Sequence, residues 1–158
     1  MKQILFLRHG KAEPYGFAKP DFDRNLAPRG EKEVEQMASL LQTLGIKPET
    51  LFYSPANRTT QTANITANVL QIPQASVLSV DAFYDYVGIA ELSELLQTLE
   101  PTQSTILLVG HNPWISALAS EMAQAFFNNL PTSGLNFILS ARNDCDSPNP
   151  NSIKPLAG

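Results

Sequence analysis

A chain of 158 residues, 43% of them hydrophobic and 16% charged, is long enough for one domain with a substantial core and too short for two ordinary ones. Its formal net charge of −4 argues against nucleic acid as the main partner, because binding a phosphate backbone requires a basic face. The one cysteine, Cys145, excludes an internal disulfide and a thiolate zinc site, and no apolar run approaches the roughly 18 residues of a membrane span. After Lys2 the apolar run is too short for a signal peptide, so the expected location is the cytoplasm.

In chain order, residues 2–8 contain Ile4-Leu5-Phe6-Leu7, the continuous apolar pattern of a strand buried on both faces of a mainly parallel sheet. That run leads at once into Arg8-His9-Gly10. A histidine there stands at a strand mouth, where open α/β sheets bind ligands, and the glycine is expected to let the backbone turn sharply and approach one closely. Residues 10–29, with Pro14, Gly16, Pro20 and Pro28, read as a long irregular loop folding over the mouth. Its Lys11, Lys19 and Arg24 are assigned to solvated surface rather than to substrate contact.

Over residues 31–44, Val34, Met37, Leu41 and Leu44 recur at helical spacing, Ala38 and Leu40 broaden the stripe, and Gly45 supplies a stop. This predicts a core-facing helix whose Glu31, Lys32, Glu33 and Glu35 are solvated. A second strand over 50–54 precedes Ser54-Pro55 and a helix over 56–70, which carries Arg58 in its first turn and a narrow face of Ala63, Ala67 and Leu70. Gln61 and Thr62, one turn after Arg58, either hold that turn in place or belong to an exposed polar face. A third strand over 75–80, a loop over 81–88 and a helix over 89–99 burying Leu92, Leu95, Leu96 and Leu99 follow.

The fourth strand, 105–109, delivers Gly110-His111. Asn112 is expected to cap, and Pro113 to open, a helix running to residue 127, with Trp114, Ile115, Leu118, Ala119 and Met122 on its apolar stripe. Trp114 is assigned to the core, the alternative being a place in the pocket beside His111. Residues 134–140 form a last strand at a sheet edge. Residues 141–158 are rich in Asn, Asp, Ser and Pro and cannot bury enough surface to offset their ordering entropy, so a mobile tail is expected after a domain of residues 1–140. The alternation of strands and helices predicts a three-layer α/β/α sandwich with a mainly parallel central sheet.

Both histidines of the chain terminate strand-like runs, and both motif arginines lie beside strand ends. Arginine offers a rigid fork of donors suited to phosphate oxygens, and a helix N-terminus adds backbone N–H groups of favourable polarity. Two arginines and two histidines therefore read as a phosphate pocket; the competing reading is a core histidine beside a surface arginine.

Arg8-His9-Gly10, the segment from Ser54-Pro55 to Thr62 with Arg58, and Gly110-His111 resemble the histidine phosphatase superfamily of phosphoglycerate mutase-like fold. The short chain is most similar to its SixA-type phosphohistidine phosphatases, over about residues 1–140 in order and spacing. Asp23-Arg24-Asn25-Leu26 and Gly30 match a recurrent family segment leading into the first helix. The resemblance implies that His9 is the nucleophile and forms a phosphohistidine enzyme intermediate, while Arg8, Arg58 and His111 hold the phosphoryl oxygens. It implies no metal and no other cofactor.

Larger members of the superfamily use an acid after the third strand or an Asp directly after the second histidine, where this chain has Asn112. Asp85, then Asp81, are the candidates at the former place. A weak acid matters least for a leaving group that departs readily, such as imidazole. The expected substrate and partner is therefore a phosphorylated, histidine-containing domain of a signalling phosphorelay, with no membrane involved. The alternatives are a small-molecule phosphomonoesterase of the same superfamily and a weakly catalytic module that binds phosphoproteins.

Overall fold

The computed structural model describes residues 2–16, 18–126 and 129–140. Cys145 and the predicted tail over 141–158 lie outside the described residues. Strand β1 (Lys2–Arg8) is followed by α1 (Pro28–Thr43), β2 (Thr50–Tyr53), α2 (Asn57–Leu70), β3 (Val77–Ser79), α3 (Ile89–Gln97), β4 (Thr105–Gly110), α4 (Trp114–Ala123) and β5 (Leu135–Ser140). The five strands form one sheet in the order β3-β2-β4-β1-β5. The first four are parallel, and β5 runs antiparallel to β1 at the edge.

Side chains alternate across a strand, so a continuous apolar run feeds two cores at once. Ile4, Phe6, Phe52, Ile106 and Leu108 pack with Leu92, Ile115 and Leu118 on the face covered by α3 and α4. Leu5, Leu7, Leu51, Leu107 and Val109 pack with Leu41, Ala63 and Leu70 on the face covered by α1 and α2. The result is the expected three-layer sandwich. Each fully buried side chain of this size contributes about 1.5–3 kcal/mol relative to exposure, and these double-sided strands are the rigid platform for the site.

Local chemistry sets the element ends. Pro28 occupies the first turn of α1, where its missing N–H costs nothing, so the helix begins three residues before the periodic stripe. Leu40 and Leu44, assigned to that stripe, are exposed: Leu40 lies within α1 but off its buried face of Val34, Ala38 and Leu41, and Leu44 falls past the helix end at Thr43, where Gly45 turns the chain at φ +70. The third strand is shorter than expected, since Gln74–Ser76 winds into a 3-10 turn before Val77.

The fourth helix also departs from expectation. It ends at Ala123, with Gln124 in the left-handed conformation at φ 50, and not at residue 127. Asn112 does not cap it. The Asn112 amide donates to the Leu130 carbonyl at 2.9 Å, and its Oδ1 accepts from the Ser116 hydroxyl, so its side chain anchors a neighbouring loop instead. Trp114 is core: it is buried against Phe83, and its indole N–H donates to the Phe83 carbonyl at 3.0 Å. Among the described residues, no helix is long and apolar enough to cross a membrane.

Candidate active site

The register of the central strands brings the two histidines together. Arg8 lies opposite Gly110 in the β1/β4 pairing, and the chain keeps this register one step further through a bond from His9 N–H to the Gly110 carbonyl at 3.1 Å. His9 and His111 therefore leave adjacent strand ends, with ring centroids 5.3 Å apart. On the other side of β4, Ser54 N–H donates to the Val109 carbonyl at 3.2 Å, which places the start of the arginine segment against His111. Asn57 opens α2, and Arg58 sits in its first turn, buried.

Gly10 makes room for close packing at this turn. Its φ is not in the left-handed region, and a Cβ there would stand 2.7 Å from a Val34 methyl and 2.9 Å from the Gly30 carbonyl oxygen. The missing side chain lets α1 pack on the turn. Gly30 answers from the helix side, where a Cβ would come within 2.1 Å of the Lys11 carbonyl. Thr62 joins this corner to α2 by accepting from Gly10 N–H at 3.0 Å and donating to the Arg58 carbonyl at 2.7 Å. Of the two readings of Thr62 and Gln61, the structure selects the bracing one. Gln61 accepts from Leu26 N–H at 2.6 Å and so ties the long loop to the same turn.

The electrostatics follow from burial. His9 Nδ1 lies 2.7 Å from the Gly10 carbonyl, which can only accept, so Nδ1 carries the hydrogen and Nε2 keeps its lone pair. Burial, joined by the nearby arginines and opposed by the Gly10 bond, lowers the pKa of His9 from 6.5 to about 4. His111 falls to about 3, through burial and then the charge of Arg58. Both rings are neutral at pH 7.

Arg8 donates to the Leu130 carbonyl at 3.0 Å, and its own pKa is lowered by burial and by Arg58. Arg8 Nε, Arg58 Nε and His111 Nδ1 are buried without a hydrogen-bond partner. Buried polar groups are ordinarily paired, so these three nitrogens keep unmet hydrogen-bonding capacity beside the paired strand ends.

The long loop supplies a residue that sequence reasoning missed. Asp21 accepts from Arg58 at 3.1 Å, from Arg24 at 2.7 and 3.0 Å and from the Tyr84 hydroxyl at 3.0 Å. Its backbone carbonyl also accepts from Arg58 at 2.9 Å. Burial works against ionisation of this carboxyl, but the Arg24, Arg58 and Tyr84 contacts outweigh it and hold the pKa at about 2. Burial, then Asp21, raises that of Tyr84. Its place in the sequence, on an irregular proline-containing loop, carried no periodic signal; its position three residues before Arg24 was the only clue.

Arg24, assigned to solvated surface, is instead 9% exposed, bound to Asp21 and to the Glu13 carbonyl, and stacked on Tyr15 at 3.9 Å. Lys11 is exposed, and Lys19 is exposed in a pair with Glu13. Asp81 and Asp85 are both exposed, at the start and just past the end of a 3-10 turn, Asp81–Tyr84; the charge of Asp85 is felt by Tyr84. Tyr84 packs edge-on to His111 with centroids 5.8 Å apart, so this turn forms one wall of the corner. Among the described residues, no cluster of three or more His, Cys, Asp or Glu could hold a metal ion.

Comparison with known proteins places the chain among relatives of the same fold. The family model of the histidine phosphatase superfamily (branch 1) matches residues 4–79. An uncharacterised protein of Picosynechococcus is 33% identical over 121 residues, covering 74% of this chain and 73% of that protein. An uncharacterised chloroplastic protein of Arabidopsis thaliana is 29% identical over 131 residues, covering 78% of this chain; the match spans 60% of that relative's length. Among solved structures, a candidate phosphohistidine phosphatase SixA from Agrobacterium tumefaciens aligns with a TM-score of 0.74 at 28% identity, covering 86% of this chain and 90% of that one. A mycobacterial glucosyl-3-phosphoglycerate phosphatase shares the fold, with a TM-score of 0.70 at 15% identity over 94% of this chain and 95% of that one. The chain belongs to the histidine phosphatase superfamily.

Proposed function

We propose that the protein is a metal-independent phosphohistidine phosphatase that works through a phosphorylated His9. The observation that carries this reading is the state of His9: a neutral ring, its Nδ1 hydrogen engaged by the Gly10 carbonyl, its Nε2 lone pair free, among buried arginines. Nε2 attacks phosphorus, an N–P bond forms, and the bond from phosphorus to the leaving imidazole breaks as that imidazole takes up a proton from solvent. Water then attacks the phosphoenzyme, releasing inorganic phosphate and returning His9. Arg8, Arg58 and His111 stabilise the charge on the transferring oxygens, and loss of one such donor costs ~10²–10³ in rate.

The nature of the acid supports the substrate class. Asp21, the carboxylate on the arginine pair, is ionised at neutral pH and has no proton to give. Asp85 and Asp81 make no hydrogen bond to either histidine among the described residues. A site so equipped suits imidazole, which leaves readily once protonated, better than an alkoxide. The partner is then a histidine-phosphorylated protein domain, and the SixA-type neighbour at 28% identity points the same way.

One observation favours a small phosphate ester instead. Tyr84 bonds to Asp21, and Phe22 packs edge-on against Tyr84 at 5.1 Å, so the two loops meet over Arg58 and narrow the approach. The deciding experiment compares hydrolysis, in chelator, of a histidine-phosphorylated phosphotransfer protein with sugar phosphates and with serine and tyrosine phosphopeptides, alongside His9→Ala. Selective, His9-dependent loss from histidine is expected. Preference for a small ester transfers the assignment to that class, and binding without turnover points to a phosphoprotein-binding module.

A further inference from the structure

Ser54 is fully buried and has no place in the phosphate chemistry described so far. Its backbone is fixed on both sides, by its N–H to Val109 and by the Thr59 hydroxyl donating to its carbonyl at 2.7 Å. Its hydroxyl oxygen lies 2.7 Å from His111 Nε2. Two arrangements satisfy that distance. Either Nε2–H donates to the serine oxygen, leaving a bare lone pair on Nδ1, or the serine O–H donates to Nε2 and the ring's hydrogen sits on Nδ1.

The surroundings discriminate between them. His111 Nδ1 is buried and unpartnered, at the corner where Arg8 Nε and Arg58 Nε are also unpartnered. A lone pair facing a phosphoryl oxyanion is repulsive there, whereas an N–H is a donor. The serine hydroxyl also needs an acceptor when buried, and Nε2 is the one within reach. We propose that Ser54 is a positioning residue that fixes His111 as its Nδ1–H tautomer, so that the neutral ring presents a hydrogen to the transferring phosphoryl group. The inference rests on the reading of His111 as a phosphoryl ligand, but the tautomer itself is observable without turnover.

The test is nitrogen NMR of the imidazoles in the full chain at pH 7, in wild type and Ser54→Ala, each with and without inorganic phosphate. The Nδ1–H form of His111 is expected in wild type, with a shift toward mixed tautomers in Ser54→Ala. Ser54→Ala should lower kcat about tenfold, the effect of one hydrogen bond, with little change in KM. Combined with His111→Ala it should cost nothing further, because Ser54 acts through that ring.

A wild-type Nε2–H tautomer overturns the proposal even in an active enzyme. An equal loss from Ser54→Ala with and without His111 overturns it too, since Ser54 then acts by another route. Ser54→Thr, which keeps the hydroxyl, separates a polar role from packing through the same NMR signal. Failure of the phosphatase reading itself would appear differently, as a correct tautomer in a chain whose turnover does not depend on His9.

Discussion

The two strand mouths look alike in sequence and differ in what holds them. At the end of β1, the His9 ring is tied to the carbonyl of its own neighbour Gly10, while the turn packs on the distant helix α1 through Val34 and Gly30. At the end of β4, His111 is tied to Ser54, 57 residues away, while Gly110 packs on Trp114 of the helix that follows directly. The local tie engages Nδ1 of His9 and leaves its Nε2 without a bond, and the distant one engages Nε2 of His111 and leaves its Nδ1 buried without a partner. On the proposed reading the repeated motif gives one nucleophile and one donor, because a neutral imidazole has a single hydrogen and its partner decides which nitrogen carries it.

The largest break in that comparison comes from removing each ring. His9→Ala should abolish phosphoenzyme formation, measured by trapping with phosphorylated substrate, whereas His111→Ala should still form it, slowed by ~10²–10³. Equal, complete loss in both would erase the distinction between the two mouths.

Substituting the glycines sharpens the contrast in packing. A Cβ at Gly110 would lie 2.1 Å from the Trp114 ring, and one at Gly10 would lie 2.7 Å from a Val34 methyl. Overpacking costs about 1–3 kcal/mol, and the rigid indole yields less than a valine methyl. Gly110→Ala should therefore destabilise more than Gly10→Ala in urea unfolding, and the reverse order would show that the β1 turn is the tighter joint.

Titration gives a smaller, graded effect. Both rings bind protons more weakly when folded, with pKa values of about 4 and 3 against 6.5 for free imidazole. Between pH 6.5 and about 4 the unfolded chain therefore binds more protons, so stability should fall as pH drops through that window. His111→Asn should flatten the slope measured by unfolding at pH 7 and pH 5; an unchanged slope would mean that the ring is already charged in the fold.

The smallest effect expected is from Asp85→Asn and Asp81→Asn, which should leave turnover of a phosphohistidine protein within about threefold, since an imidazole leaving group needs little help from an acid. A hundredfold loss in either variant, read by the same phosphate-release assay, would restore that carboxylate as the acid.

Much of the platform was legible in the chain itself. Ile4 to Leu7 and Ile106 to Val109 have no polar residue to turn toward water, so they had to be central strands, and the residues after them had to emerge at the sheet's carboxyl edge. Arg58 was legible for a related reason, in the first turn of a helix that follows a strand. Asn112 and Arg24 were not. Asn112 has the chemistry of a cap but spends it on Leu130 and Ser116, and Arg24 has the composition of a surface but is folded under Tyr15 and onto Asp21. Those choices depend on which distant groups are within about 3 Å, a length that spacing along a chain does not encode.

The sequence by itself determined the double-sided strands, the helices that cover them, and the delivery of His9, Arg58 and His111 to one edge, because burial of alternating apolar side chains leaves a single economical arrangement. Only the tertiary structure decided that Asp21 would reach Arg58, that Tyr84 would form a wall beside His111, and that Ser54 would meet Nε2. Each of those contacts joins residues from different elements, and a hydrogen bond acts over a few ångströms whatever the separation in sequence.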